Sequence, residues 1–220
     1  MNVDILIFAI IALVVAYRLY STLGAVDDDE AMLVKKGSEN SNVIDLNAEE
    51  YEVEQEVVVD KEEQRIIDGL GDSSKKAVEK IKETDQKFQL KNFLLGAEKA
   101  FEIIISSFVK GDKKAISSLT TKEMSNKFFA ELESLKKLNR NIDINIVAII
   151  RNVIDTVEIN KNIVKISVKL TSEQITVVTD KNDKVVSGNK DHIEEIDDVW
   201  TFEKDIKSKN NIWMLSNTES

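Results

Sequence analysis

Hydrophobic and polar positions change rhythm twice along this chain. The first stretch, Val3 to Tyr20 (VDILIFAIIALVVAYRLY), is almost wholly apolar. Its uninterrupted part, Ile5 to Ala16, would rise only ~18 Å as a helix at ~1.5 Å per residue, short of the ~30 Å hydrocarbon layer. Extension through Tyr20 brings the rise to ~27 Å, with Arg18 snorkelling and Tyr17 and Tyr20 at the interface. The pattern predicts an uncleaved single-span anchor over residues 3–20. A cleaved signal peptide is the competing reading, but the chain begins MNVD where a basic region belongs, and STLGAV is a poor cleavage site. A buried core helix is the third reading. Asp4 precedes the span and Arg18 follows it, so positive-inside counting puts the C-terminal bulk in the cytoplasm.

From residue 64 the period is helical. The run SSKKAVEKIKETDQKF turns Ala77, Val78 and Ile81 to one side between Lys75, Lys76, Lys80 and Lys82. It reads as a surface helix packed on the domain or as a basic amphipathic helix on anionic lipid. Phe93, Leu94, Ala97, Phe101, Ile104, Ile105 and Phe108 then line one face of a longer helix. Gly111 stops it, and Lys110 complements the dipole of its last turn. Gly96 lowers its helix propensity by up to ~1 kcal/mol against Ala, which predicts a close packing contact there. Thr120 and Glu123 form a T-x-x-E capping box for a second helix carrying Met124, Phe128, Leu132, Leu135 and Leu138 on one side.

At Ile142 the period becomes two. Ile142, Ile144, Ile146 and Ala148 alternate with other residues, as do Val164, Ile166, Val168 and Leu170, which reads as two half-buried antiparallel strands. A hairpin turn is expected at Asp180 to Lys184, and further strands at Val199 to Glu203 and Trp213 to Ser216. Helices followed by a meander make an α+β fold, the aromatic-striped helix covering one face of a curved antiparallel sheet.

Charge adds a boundary. The 220 residues carry 30 Lys+Arg against 40 Asp+Glu, a net −10, yet residues 25–63 alone hold 14 acids and 3 bases, or −11. The remainder is therefore at +1. Self-repulsion predicts that residues 25–63 form a disordered acidic linker, although Val57, Val58 and Val59 could dock on something. A flexible chain of that length reaches ~30–40 Å at ~5–6 Å × √n. The predicted organisation is anchor 3–20, linker 25–63 and domain 64–218. The absence of Cys excludes disulfides, thiol nucleophiles and zinc ribbons. One histidine, His192, is too few for a histidine-rich metal site, and the acidic balance argues against nucleic acid. No Pro and 26 Lys against 4 Arg indicate an AT-rich coding bias, so lysine density carries little functional weight.

Several stretches carry a family resemblance. FLLGAEKAFEIIISSFVKGD (Phe93 to Asp112), VWTFEKD (Val199 to Asp205) and IWMLSNT (Ile212 to Thr218) are similar to signature segments of Tim44-like domains, and DILIFAIIALVVAYRLYSTLG resembles the membrane segment of bacterial members. The chain departs from them at Val26-Asp27-Asp28, where relatives have Arg-Thr-Gly, and at Ile212, where they have Pro. The resemblance implies a cone-shaped, nuclear-transport-factor-two-like fold with an apolar pocket between helices and sheet. It also implies an adaptor at a membrane surface, related to the mitochondrial import translocase subunit.

An enzyme on the same cone would need a buried carboxylate with a raised pKa or an Asp–His pair. His192 lies in a polar run, and Asp197 and Asp198, adjacent on a strand, point to opposite faces. No phosphate-binding glycine loop occurs. The expectation is a non-enzymatic adaptor without cofactor or metal, at the cytoplasmic face of the inner membrane. It would hold a translocation- or chaperone-type protein, or a lipid, in a groove formed by Phe93, Ala97, Phe101, Phe108, Trp200, Phe202 and Trp213, with the N-terminal helix in membrane lipid. A small pocket enzyme and an envelope structural protein are the alternatives.

Overall fold

The computed structural model describes residues 61–208 and 212–219. The expected membrane span and nearly all of the expected acidic linker lie outside these residues. Among the described residues no helix is long and apolar enough to cross a membrane.

Residues 61–68 are helical and lead into four helices: α1 (Asp72–Thr84), α2 (Leu90–Lys110), α3 (Lys113–Leu119) and α4 (Lys122–Lys137). Five strands follow, β1 (Asn141–Asn160), β2 (Ile163–Thr179), β3 (Val185–Gly188), β4 (Glu194–Asp205) and β5 (Met214–Glu219). They pair antiparallel in the order β1-β2-β4-β5, and β3 joins the far end of β2. Helices packed on a curved antiparallel sheet make the α+β architecture that the change of period predicts.

Helix α1 buries Ser74, Ala77, Val78 and Ile81. Its apolar stripe is thus taken up by the domain core, and Ser74 Oγ accepts a hydrogen bond from the Val157 N–H of β1 at 2.9 Å. Helix α2 turns Phe93, Ala97, Phe101, Ile104, Ile105 and Phe108 to the sheet and ends at Gly111, whose φ of 68° is the left-handed cap favoured by glycine. The short α3 escapes a periodicity reading because it has only 7 residues; Asp112 caps it, accepting from the N–H groups of Lys114 and Ala115.

The cap of α4 is Thr121, which accepts from the Met124 N–H. The expected Thr120–Glu123 box does not form, because β5 takes this corner. Thr120 makes a parallel bridge with Leu215, and the Thr121 N–H donates to the Leu215 carbonyl at 2.8 Å. Thr120 Oγ1 instead bonds the Ile116 carbonyl and Ser125 Oγ. On α4, Met124, Phe128 and Leu135 are buried as expected and Leu132 is half-buried, but Leu138 at the C-cap is 57% exposed.

The sheet is longer than its alternation suggests. Three β-bulges leave Val147, Ile150 and Asp155 of β1 without a partner on β2, and each flips which residues face inward. The inward set passes from Ile142, Ile144 and Ile146 to Ile149, then to Asn152 and Ile154, then to Val157 and Ile159. Ala148, in step with Ile146 by alternation alone, pairs with Glu173 and so belongs to the opposite face. Strand β2 has no such interruption, and Val164, Ile166, Val168 and Leu170 are all buried. The β2–β3 turn falls where expected: Asp180 accepts from the N–H groups of Asn182 and Lys184.

Candidate binding pocket

Register brings the aromatic residues together. On β4, Trp200 pairs with Val168 and Phe202 with Ile166, so both rings share the inner face with the β2 apolar row. Phe101 of α2 meets Trp200 edge-on at 4.8 Å between centroids. Phe93 meets Phe202 at 5.9 Å and Trp213 at 4.9 Å, and Phe88 lies 6.0 Å from Trp213.

These contacts divide the seven candidate groove residues. Phe101, Phe108 and Trp200 sit in the packed interior, with Trp200 only 1% exposed and its indole Nε1 lacking a hydrogen-bond partner among the described residues. Phe93, Ala97, Phe202 and Trp213 line an open pocket of about 470 Å³ between the N-terminal half of α2 and the β4–β5 end of the sheet. The rest of the lining comes from Phe88, Gln89, Asn92, Gly96 and Ala100 on the helix side, Leu119 at the end of α3, and the charged Asp85, Lys87 and Lys204.

Gly96 does not make the expected packing contact. A Cβ built there would find no atom within 4 Å among the described residues, so its missing side chain widens the pocket and serves no contact among them.

Lys204 is the polar feature that sequence reading passes over. It follows Trp200 and Phe202 at intervals of two and so points to the same face, a parity signal that could have found it. Its side chain is 10% exposed; its ammonium lies 3.8 Å from Asp85 Oδ2 and 5.6 Å from the Trp213 ring centroid. The pocket is thus an apolar trough with a cation set into one wall.

Glu63, the last residue of the expected linker, holds the helix that forms the other wall. It is 5% exposed, and its carboxylate accepts from the N–H groups of Leu90 and Lys91 at 3.0 and 3.1 Å and pairs with Lys82 at 2.9 Å. Burial alone would raise this carboxyl's pKa, but the Lys82 ammonium and the two backbone donors outweigh it and hold the group below the ordinary carboxylate range. Glu62 pairs with Lys91 on the same helix turn.

The residues that an enzyme would need are dispersed. His192 is exposed. Asp197 accepts from Thr171 Oγ1 at 2.5 Å, while Asp198 is buried on the other face. Glu131, on α4, is buried and its carboxyl is pushed up by that burial. None of these four lines the pocket, whose carboxylate, Asp85, is ion-paired and 37% exposed. Among the described residues no group of three or more His, Cys, Asp or Glu is placed to hold a metal.

Comparison with known proteins gives three findings. The family model described as "Tim44-like domain" matches residues 74–220, which is 147 of the 220 residues. An uncharacterized Rickettsia prowazekii (strain Madrid E) protein, RP434, is 24% identical over 233 residues, covering 99% of this chain and 97% of that protein. Among solved structures, the intermembrane space region of chloroplast protein ARC6 aligns with a TM-score of 0.40 and 10% identity over 56% of this chain and 92% of that one.

Proposed function

We propose, from the premise that this chain belongs to the Tim44-like domain family, that it is a non-enzymatic, membrane-anchored adaptor. Its folded domain holds a polypeptide client in the pocket between α2 and the β4–β5 end of the sheet. A span over residues 3–20 fixes it in the inner (cytoplasmic) membrane by contact with lipid, with the domain in the cytoplasm. The client is a protein in translocation or membrane-protein assembly, and confinement at the bilayer raises its effective concentration. In this reading the sheet and helices close as a cone around the bound segment.

The observation that carries the reading is the open apolar trough, walled by Phe93, Phe202 and Trp213, that the domain's own described side chains leave unfilled. An apolar trough with a few polar groups suits binding. The buried carboxylates that acid–base chemistry would use lie elsewhere, Glu63 as a helix cap, Glu131 on α4 and Asp198 on β4. The test replaces Asn92, an exposed residue of the rim, with a photoreactive amino acid in the full chain in intact membranes. Covalent capture of a polypeptide supports the adaptor; recovery of a soluble metabolite overturns it. Protease protection in inverted and right-side-out vesicles, with high-salt fractionation, tests anchor and orientation. A domain cleaved only in right-side-out vesicles would make this an envelope protein.

A further inference from the structure

Lys204 sets a condition on what can fill the pocket. Its side chain is 10% exposed, whereas every other ion-paired lysine among the described residues is at least 25% exposed. The ammonium lies 3.8 Å from Asp85 Oδ2, too far for a hydrogen bond, and finds no other acceptor among the described residues. Asp85 is held back within its own turn, where its Oδ1 accepts from the Lys87 N–H at 3.2 Å. The Trp213 ring, 5.6 Å away, offers only its π face. A lysine head has three N–H donors and no acceptor, and water can serve them only while the trough is open to it. An apolar client expels that water. Unless the client brings an acceptor of its own, a nearly buried cation is then left without a hydrogen bond, which opposes binding.

We propose that the client segment carries a carboxylate among its apolar side chains: these pack on Phe93, Phe202 and Trp213, and a Glu or Asp side chain accepts from Lys204. This rests on the pocket being the client site and adds the chemistry by which a client is chosen. Charge fits a single carboxylate. Lys87 and Lys204 face one Asp85 in the lining, a surplus of one positive charge that a monoanion neutralises. A phosphate dianion would exceed that surplus and face Asp85 at close range, and a basic segment would meet two lysines. The trough is open, so a chain can continue past it, and the carboxylate is therefore a side chain within the segment. A Gln in the same place supplies an acceptor but no charge. Charge-assisted hydrogen bonds are about twice as strong as neutral ones, so the site selects acid over amide.

The test uses three N-terminally fluorescein-labelled peptides, Gly-Leu-Phe-X-Leu-Phe-amide, with X as Glu, Gln or Lys. Fluorescence anisotropy reads their binding to the full-length chain in phosphatidylcholine nanodiscs, with empty nanodiscs subtracted. The Glu peptide is expected to bind about tenfold more tightly than the Gln peptide, and the Lys peptide most weakly. Lys204→Met keeps the stem's apolar packing and removes the charge; with its fold checked by circular dichroism, it is expected to bind the Glu and Gln peptides equally. Lys204→Arg is expected to restore the preference. Equal binding of Glu and Gln peptides by the unmodified chain, or a preference that survives Lys204→Met, overturns the proposal. So does failure of all three peptides to bind; binding of oleate in that case would assign the cation to a lipid carboxylate. If the peptides are not discriminated while Asn92 still captures a polypeptide, only the selection for an acid falls. If the Glu peptide is preferred through Lys204 but Asn92 recovers only a soluble metabolite, the adaptor reading falls and the carboxylate site stands.

Discussion

Two glutamates, one held down and one pushed up, show how the same side chain can brace or burden the fold. Glu63 has its folded-state pKa below its unfolded value. Its contribution is therefore full above the ordinary carboxylate range and is lost as pH falls through the folded value. Glu63→Gln is expected to cost about 1–3 kcal/mol at neutral pH, the range for losing a charge-assisted buried hydrogen bond, with the gap to the unmodified protein shrinking on acidification; urea unfolding across pH measures both. Glu131 behaves oppositely. Burial raises its folded-state pKa, so its contribution is greatest below the ordinary carboxylate range and is lost as pH rises through the raised value. Glu131→Gln is expected to stabilise the neutral-pH protein by about 1 kcal/mol, as for relief of a poorly compensated buried polar group, and to make no difference in acid. A sequence reading misses both roles. Glu63 stands in a run of acids that looks uniformly solvated, and Glu131 occupies a helix position whose inward rotation depends on Phe128 and Leu135 around it.

At the scale of elements, legibility follows regularity. Helix α2 was readable because seven apolar residues share a face and a left-handed glycine ends it. Strand β2 was readable because its alternation is unbroken from Val164 to Leu170. Strand β1 was readable only up to its first bulge, since each unpaired residue inverts the pattern and three inversions in 20 residues erase it. The pocket was half legible for a related reason. Parity identifies Phe202 and Trp213 as inward-facing, but it cannot say which inward aromatic is covered by a helix and which is left at its margin. Gly96 tests that margin. Because its added Cβ would touch nothing, Gly96→Ala is expected to raise stability by about 0.5–1 kcal/mol, read as an increase in Tm. A loss of stability would mean that the trough is already filled against the helix backbone.

Across the whole molecule, one aromatic cluster runs from core to pocket and its two ends should answer mutation differently. Phe101→Ala, at a fully buried position in contact with Trp200, is expected to cost about 3–5 kcal/mol and to lower client capture only through unfolding. Trp213→Ala, at the half-buried wall, should cost less stability yet abolish capture from Asn92 in protein that remains folded by circular dichroism. Equal stability losses at the two positions would erase the distinction between interior and wall. The bridge from Thr120 to Leu215 has a consequence for biosynthesis. It ties the corner between α3 and α4 to the strand translated last among those described. A nascent chain emerging from the ribosome can coil its helices early, but it cannot lock that corner until β5 has cleared the exit tunnel. Completion of the native layer therefore waits on β5, and a premature stop before Leu215 would release a chain in which that corner stays unbridged.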